Sequence, residues 1–251
     1  GGGVARGGFC SSDSLFRRAK KPVIVIRPQP GCDASVAAAR ELGLAAQAHP
    51  LFLVGPLVWD APDPAQFDAL LIGSANALRQ GGTGLARYRG MPAYAVGETT
   101  ASKARAAGLE VAGIGEGGLQ PLLGKLLPEH KRLLRLTGRE RVNLDPPHGV
   151  TIAERVTYAS ERLTLPDELA ALLIGGALVL LHSGEAARHF ASQCEARAMP
   201  KRRIAIAALA PRVAEAAGVG WAAVASAPVP RDHALLALAC RMCKNDDWSE
   251  A

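Results

Sequence analysis

The feature that most constrains the fold of this chain is an internal repeat. Residues 71–78, LIGSANAL, resemble residues 180–187, LLHSGEAA, so that Ser183 follows Ser74 by 109 positions. A second pair, YAVG at 94–97 and IAIA at 204–207, keeps a spacing of 110, and an alanine-rich stretch follows each member. Two separate blocks at nearly one spacing predict an α/β module that occurs twice.

Short aliphatic runs alternate with alanine-rich stretches, which predicts an α/β fold with helices covering parallel sheets. The predicted strands span 22–26, 52–58, 68–72, 94–96, 110–114, 132–136, 177–181, 204–207 and 222–225. The predicted helices span 33–42, 99–107, 119–127, 185–196, 211–217 and 232–242, and a further helix begins at Ser74. Residues 45–54 and 151–158 are predicted to be extended segments that join the two modules.

Composition narrows the classes of partner. The 251 residues allow two domains of roughly 100 residues each. With 49% hydrophobic residues and no apolar run of about 18 or more, we predict a globular protein without a membrane segment. The net charge of +6 suits an anionic partner, but the basic residues are dispersed and aromatic residues make up only 4%. This pattern favours a small anionic substrate over nucleic acid.

Five cysteines, an odd number, show no disulfide rhythm, which favours a reducing compartment, and we predict the cytoplasm. The CxxC spacing of Cys240 and Cys243 has no second pair, so we predict a helix face there and no metal site. Residues 1–21 are glycine-rich and then basic, and are predicted to be a disordered extension. Residues 244–251 are predicted to be a polar tail.

In parallel α/β sheets, ligands bind at the carboxyl ends of the strands, where each strand turns into its helix. The turns at that edge are 27–31, 73–76, 97–100, 137–139 and 182–185, and they are rich in Ser, Thr, Asn and Gly. Helix N-termini with such residues can receive a carboxylate or a phosphate, although the same residues are ordinary helix caps. His182 and His189 are interpreted as ordinary surface or core histidines.

Several familiar signatures are missing from the sequence. It has no GxGxxG after a strand, no GxxxxGK[ST], no GxSxG and no HExxH. This disfavours nucleotide-binding, hydrolytic and metal-dependent classes. A site of hydroxyls and backbone donors suits a reaction that depends on orientation more than on strong acid–base chemistry.

The ordered series of motifs resembles the uroporphyrinogen-III synthase family over roughly residues 22–243. The resemblance depends on IRP at 26–28, SANA at 74–77, AVGETTA at 95–101 and RVTY at 155–158, with the Ser183 block placed where the family has its second module. The chain departs from the family pattern at Ile26, Gly73 and Ala210, where the family commonly has a hydroxyl residue.

The resemblance implies two flavodoxin-like, doubly wound parallel-sheet domains joined by a two-stranded connector, with a cleft between them. It implies a discontinuous first domain of residues 22–54 plus 159–243, and a second domain of residues 55–158 that includes the connector strand. This division replaces the tandem split near residue 131 that the repeat alone suggests.

The resemblance also implies an activity, which is the cyclisation of hydroxymethylbilane with loss of water and inversion of the terminal pyrrole ring through a spiro intermediate, without a cofactor. It implies Tyr158 as the catalytic proton donor. The substrate-binding residues predicted with it are Arg27, Pro28, Ser74, Ala75, Asn76, Thr99, Thr100, Lys103, Gly138 and Ser183.

Two alternatives remain open at this stage. One is a non-catalytic two-domain protein of the same fold that binds a tetrapyrrole or a small anion. The other is a sugar- or nucleotide-processing α/β enzyme, which the missing phosphate-loop signatures disfavour. We further expect a monomer, with a transient hand-over of substrate from the upstream bilane-forming enzyme.

Overall fold

The computed structural model describes residues 20–245. The predicted extension at 1–21 and the predicted tail at 244–251 therefore lie almost wholly outside the described residues, and Cys10 lies outside them as well. Within residues 20–245 the chain forms eleven strands and eight α-helices, together with three short 3-10 helices.

The strands are β1 Pro22–Val25, β2 Ala45–Ala48, β3 Phe52–Pro56, β4 Ala69–Ile72, β5 Pro92–Val96, β6 Glu110–Gly115, β7 Arg132–Gly138, β8 Thr151–Arg162, β9 Ala177–Leu181, β10 Ile204–Ala208 and β11 Ala223–Ser226. The helices are α1 Gly31–Glu41, α2 Ala75–Arg79, α3 Gly97–Ala106, α4 Leu119–Leu123, α5 Asp167–Ile174, α6 Gly184–Ala196, α7 Pro211–Ala217 and α8 Asp232–Lys244. The 3-10 helices are Pro64–Gln66, Gly82–Tyr88 and Lys201–Arg203.

The strands form two sheets, each with the helices that pack on it, and we call each of these units a lobe. The sheet of the first lobe has the order β11-β10-β9-β1-β2 and is parallel throughout. The sheet of the second lobe has the order β3-β8-β7-β4-β5-β6 and is parallel except at β3. Numbered along the chain, the parallel strands have the order 2-1-3-4-5 in the first sheet and 3-2-1-4-5 in the second, and both orders are doubly wound. The predicted α/β class is confirmed, and the sequence repeat corresponds to two sets of three neighbouring parallel strands, β4-β5-β6 and β9-β10-β11.

Alternate side chains of the central strands are buried on opposite faces of each sheet, as the two-residue period of a strand requires. In the first lobe, Ile24 packs with α5, α6 and α7 on one face, and Val23 packs with α1 and α8 on the other. In the second lobe, Leu70 packs with α2 and α3, whereas Leu71 packs with α4. Because both faces are covered, the strands are continuous apolar runs.

The longest strand, β8, has two pairing partners along its length. Residues 151–158 pair in parallel with β7, and residues 158–162 pair in antiparallel with β3. The strand therefore continues to Arg162, beyond the predicted end at residue 158. Residues 45–58 are predicted to be extended, but only 45–48 and 52–56 form strands. The first of these strands, β2, joins the first sheet, and β3 joins the second.

Two helices differ from the sequence prediction. The helix predicted over 119–127 ends at Leu123, where Gly124 and then Pro128 follow. Helix α5 was not predicted, although Pro166 precedes it and Asp167 and Glu168 lie in its first turn, which is a helix start signal.

Candidate functional site

A cleft opens where turns from both lobes face each other at the carboxyl ends of the strands. Its cavity volume is about 460 Å³. It is lined by Arg27, Pro28, Gln29, Pro30, Gly31, Gly73, Ser74, Ala75, Asn76, Arg79, Thr99, Thr100, His182, Ser183 and Ala186. The predicted substrate-binding residues that meet here are Arg27, Pro28, Ser74, Ala75, Asn76, Thr99, Thr100 and Ser183.

A second cavity of about 220 Å³ adjoins the cleft on the side of the second lobe. Tyr158 lines it, and Gly73 and Ser74 line both cavities. The structure therefore places the candidate catalytic tyrosine beside the cleft. Among the described residues, its hydroxyl makes no intramolecular hydrogen bond, so the O–H group remains available to a ligand.

Gly138 does not line either cavity, but it supports the ring of Tyr158. The strand register shifts between Thr137 and Gly138, so that Gly138 pairs with Tyr158. A Cβ atom at position 138 would lie 2.7 Å from Cζ of Tyr158. The position needs a residue without a side chain because the tyrosine ring lies directly against the backbone.

Ser74 and Ser183 are helix caps, as the ordinary interpretation of such residues predicts. The Oγ atom of Ser74 accepts from the backbone N–H of Asn76 at 3.2 Å, and that of Ser183 accepts from Ala186 at 3.0 Å. Each hydroxyl still has its own hydrogen to donate towards the cleft. Capping and ligand binding are therefore compatible at both residues.

Lys103 is exposed on α3 and lines neither cavity. Its predicted role depends on charge alone. Lys103 lies three residues after Thr100, about one helical turn further along α3, and so further from the loop that faces the cleft.

A partly buried chain of polar side chains behind Arg27 was not foreseen. Arg27 Nη1 donates to Ser35 Oγ at 3.3 Å, and Ser35 Oγ donates to Asp232 Oδ2 at 2.9 Å. Nε2 of His182 lies 2.8 Å from Asp232 Oδ1. His182, which the sequence suggested was an ordinary histidine, thus lines the cleft and is tied to the start of α8.

The charges of this group follow from its surroundings. Burial raises the pKa of Asp232, but hydrogen bonds from His182 and Ser35 more than offset this and hold the pKa below its usual value. Burial lowers the pKa of His182 despite the neighbouring carboxylate. Since an ionised carboxylate only accepts hydrogen bonds, Nε2 of a neutral His182 carries the proton.

A buried cation, Arg135, lines the smaller cavity. The side chain of Arg135 on β7 is 4% exposed and donates to Glu154 at 2.9 Å. Arg141 donates to the other oxygen of Glu154 at 2.7 Å. Burial raises the pKa of Glu154, but the two arginines outweigh that effect and lower it. These pairs attach the loop at residues 139–145 to the sheet.

The cysteines and histidines of residues 20–245 form no cluster that could hold a metal ion. Burial raises the pKa of Cys32 to about 11 and that of Cys194 to about 12, so both thiols stay protonated and unreactive at neutral pH. Cys240 and Cys243 lie on α8, as predicted. Over the same residues, every helix is too short or too polar to span a bilayer.

A scan of protein families gives a match over most of the chain. Residues 33–237 match the family model described as uroporphyrinogen-III synthase HemD. The chain belongs to the uroporphyrinogen-III synthase family. Members of this family are cyclising enzymes of the lyase type that act on a tetrapyrrole substrate, so this family member is an enzyme and not the non-catalytic alternative.

Solved structures show the same fold at low sequence identity. A uroporphyrinogen-III synthetase from Helicobacter pylori aligns with a TM-score of 0.62 and 17% identity, over 88% of this chain and 99% of that one. A mutant uroporphyrinogen III synthase from the extremely thermophilic bacterium Thermus thermophilus aligns with a TM-score of 0.53 and 16% identity, over 90% of this chain and 100% of the other. No protein of curated function matches the sequence of this synthase family member.

Proposed function

We propose that this chain converts hydroxymethylbilane to uroporphyrinogen III in the cleft between its lobes. The observation that carries the proposal is the convergence of Arg27 and Ser183 from the first lobe with Ser74, Asn76 and Thr100 from the second, next to Tyr158. The substrate is a long chain with acidic side arms at intervals. A cleft with a cation and hydroxyl donors on both walls suits such a molecule.

Tyr158 begins the reaction. Its hydroxyl donates a proton to the leaving hydroxyl of the terminal hydroxymethyl group, the C–O bond breaks, and water departs. The azafulvene-like cation that forms is attacked by the substituted carbon of the far ring to give the spiro intermediate. That intermediate breaks and recloses with the ring inverted, and the proton lost on reclosure restores the phenol.

The remaining residues fold the substrate and hold its side arms. Arg27 binds a carboxylate, and the hydroxyls of Ser74, Thr99, Thr100 and Ser183 donate to others. Pro28 and Ala75 shape the walls, and Gly138 leaves space for the ring of Tyr158. The cleft holds both ends of the substrate close together in one orientation, which makes the spiro route faster than direct closure. The entropy cost of folding the substrate is then met on binding and no longer adds to the barrier of the reaction.

The division into a domain of residues 22–54 plus 159–243 and one of 55–158 is part of this proposal, as is reaction without a cofactor. Lys103, exposed on α3, stays in it only as a distant positive charge. We also propose that the enzyme acts as a monomer in the cytoplasm. It receives its unstable substrate by transient hand-over from the enzyme that forms the bilane.

The test is a supply of freshly made hydroxymethylbilane, with the cyclised isomers resolved by chromatography. The wild-type chain is expected to give the ring-inverted isomer, whereas the uncatalysed control gives the unrotated one. Formation of the unrotated isomer alone, at the control rate, would contradict the proposal.

The role of Tyr158 is tested by Tyr158→Phe, which removes the proton donor and keeps the ring. We expect kcat to fall about 100-fold or more, in the range of general acid catalysis, with the melting temperature preserved. Tyr88→Phe is the matched control. It loses a buried hydroxyl that donates to Pro62 at 2.8 Å, away from the cleft, so stability should fall and kcat should not. Unchanged turnover in Tyr158→Phe would remove that residue from the mechanism.

A further inference from the structure

We propose that Asp232, at the start of the last helix, is a positioning residue that orients Arg27 for a substrate carboxylate by way of Ser35. The inference rests on the proposed function, in which Arg27 binds a side arm of the tetrapyrrole. It assigns a role to a residue that lines no wall of the cleft and belongs to none of the family motifs in the sequence.

The connection is a directed chain of hydrogen bonds. Arg27 donates to Ser35, and Ser35 donates to Asp232, so the one hydroxyl acts as acceptor on one side and donor on the other. Ser35 is fully buried, and water therefore does not compete for its two bonds. Asp232 Oδ1 also lies 4.0 Å from Arg27 Nη1, which adds direct attraction between the charges.

His182 holds the carboxylate in this orientation. It donates from Nε2 to Oδ1 of Asp232, which leaves Oδ2 for Ser35. The imidazole side chain is 7% exposed, and its Nδ1 is buried with no hydrogen-bond partner among residues 20–245. A buried polar atom without a partner is unfavourable, so the ring sits here at a cost in stability. Its bond to Asp232 offsets part of that cost.

Gly31 holds the guanidinium from the other side. A Cβ atom at position 31 would lie 2.7 Å from Nε of Arg27 and 2.8 Å from its Cζ, so the guanidinium lies directly against the backbone of α1. Arg27 is thus confined between Gly31 and Ser35. Its side chain nonetheless stays 34% exposed and lines the cleft.

This confinement prepares Arg27 for a carboxylate. Among the described residues only its Nη1 is engaged, which leaves donors of the fork for a ligand. A guanidinium already held in one orientation loses less conformational entropy when a carboxylate binds. Removing the positioning group should therefore weaken substrate binding and leave the chemistry at Tyr158 nearly intact.

The experiment is a double-mutant cycle with Asp232→Asn and Arg27→Gln, measuring KM and kcat for hydroxymethylbilane. Asparagine keeps the size but replaces one of the two acceptor oxygens with an NH2 group, so either His182 or Ser35 faces a donor in place of an acceptor. We expect KM to rise about 5- to 10-fold in Asp232→Asn while kcat changes less than about twofold. Arg27→Gln should raise KM at least as much, and adding Asp232→Asn to it should have no further effect.

Two further variants separate positioning from folding. Ser35→Ala interrupts the chain between the two charges and should reproduce the effect of Asp232→Asn on KM even if that variant proves unstable. Asp167→Asn is the matched control, because Asp167 also begins a helix and accepts from an arginine at 2.6 Å, but this arginine, Arg197, does not line the cleft. Its KM should equal that of the wild type.

The outcomes distinguish this inference from the proposed function. If the wild type is active, two results overturn the inference alone. One is that the effects of Arg27→Gln and Asp232→Asn on KM are additive, and the other is that KM is unchanged in both Asp232→Asn and Ser35→Ala. If the wild type is inactive, binding of uroporphyrin III is titrated by fluorescence instead. A loss of affinity shared by the Arg27, Ser35 and Asp232 variants then supports positioning while the proposed function fails. No binding at all overturns both.

Discussion

At the scale of single residues, two glycines decide where the candidate site's most important side chains lie. Gly31 contacts the guanidinium of Arg27, and Gly138 contacts the ring of Tyr158, each so closely that a Cβ atom would be 2.7 Å from the neighbouring side chain. Neither backbone has a positive φ. Both glycines are needed for space and not for conformation.

Gly138→Ala is therefore expected to impair catalysis by displacing the Tyr158 ring. Misplacement of a catalytic group by about 1 Å can lower a rate about 100-fold, so we expect kcat to fall by about 10- to 100-fold. Gly55→Ala is the control, because it is also a strand position and no atom lies within 4 Å of its added Cβ. Steady-state kinetics test this prediction, and equal kcat values for the two variants would contradict it.

Asp68 provides a pH-dependent contribution to stability away from the cleft. Its carboxylate accepts from the side chain and backbone of Arg132 and from the backbone of Lys131, and the Arg132 side-chain hydrogen bonds above all lower its pKa to about 2. A lowered pKa in the folded state stabilises the protein above the unfolded pKa, near 3.9. That contribution is lost as the pH falls from about 4 to about 2.

Asp68→Asn should lower the free energy of unfolding at pH 7 by about 1–2 kcal/mol, a modest value because Arg132 is largely exposed to solvent. The gap between the variant and the wild type should narrow below about pH 4, where the wild-type carboxyl becomes protonated. Denaturant unfolding at several pH values measures this difference in the free energy of unfolding. A gap that stays constant down to pH 2 would show that the charge of Asp68 is irrelevant.

At the scale of elements, helices α1, α2 and α6 have their N-caps in the wall of the cleft. Ser183 both caps the 13-residue helix α6 and lines the cleft. The positive end of a helix dipole therefore faces the same space as Arg27. Capping stabilises the helix whether or not a ligand binds, so a single substitution to alanine would change both properties together.

A pair of substitutions separates the two roles of Ser183. Asparagine and aspartate cap helices about as well as serine, so Ser183→Asn and Ser183→Asp should both keep the melting temperature nearly unchanged. Only the aspartate introduces a negative charge where acidic side arms are expected to bind. We expect KM for hydroxymethylbilane to be about tenfold higher in Ser183→Asp than in Ser183→Asn. Equal KM values would exclude a carboxylate near Ser183.

At the scale of the whole molecule, two α/β lobes with largely parallel sheets meet at one cleft, and the chain passes between their sheets at β2–β3 and again after β8. The chain has a net charge of +6, and its cleft is proposed to take a substrate with many carboxylates. The long-range attraction between them depends on ionic strength, because salt screens charges beyond about 10 Å at 0.1 M.

We therefore expect KM for hydroxymethylbilane to rise several-fold between about 0.05 and 0.5 M NaCl, with kcat nearly constant. Sucrose at the same osmolality serves as the control, since it leaves the charges unscreened. Initial-rate measurements over this range test the prediction. A KM independent of salt would mean that shape, and not charge, selects the substrate.

The sequence by itself determined the α/β class and the composition of the cleft walls. The alternation of apolar runs with alanine-rich stretches reflects strands buried on both faces, and this local pattern needs no partner to be recognised. Parallel strands bring their carboxyl ends to one edge of a sheet, so Ser74 and Thr100 could be placed at the ligand edge of one sheet and Ser183 at that of the other.

Only the tertiary structure decided which side chains support that site. Ser35 and Asp232 are 197 positions apart, and nothing in either local sequence indicates that they share a hydrogen bond behind Arg27. Gly138 was predicted to contact substrate, but it lies against the ring of Tyr158, and Lys103 lies outside the cleft. Strand pairing and helix packing set these contacts, and they depend on the whole chain being folded. A sequence pattern records which face of an element is buried but not what it is buried against.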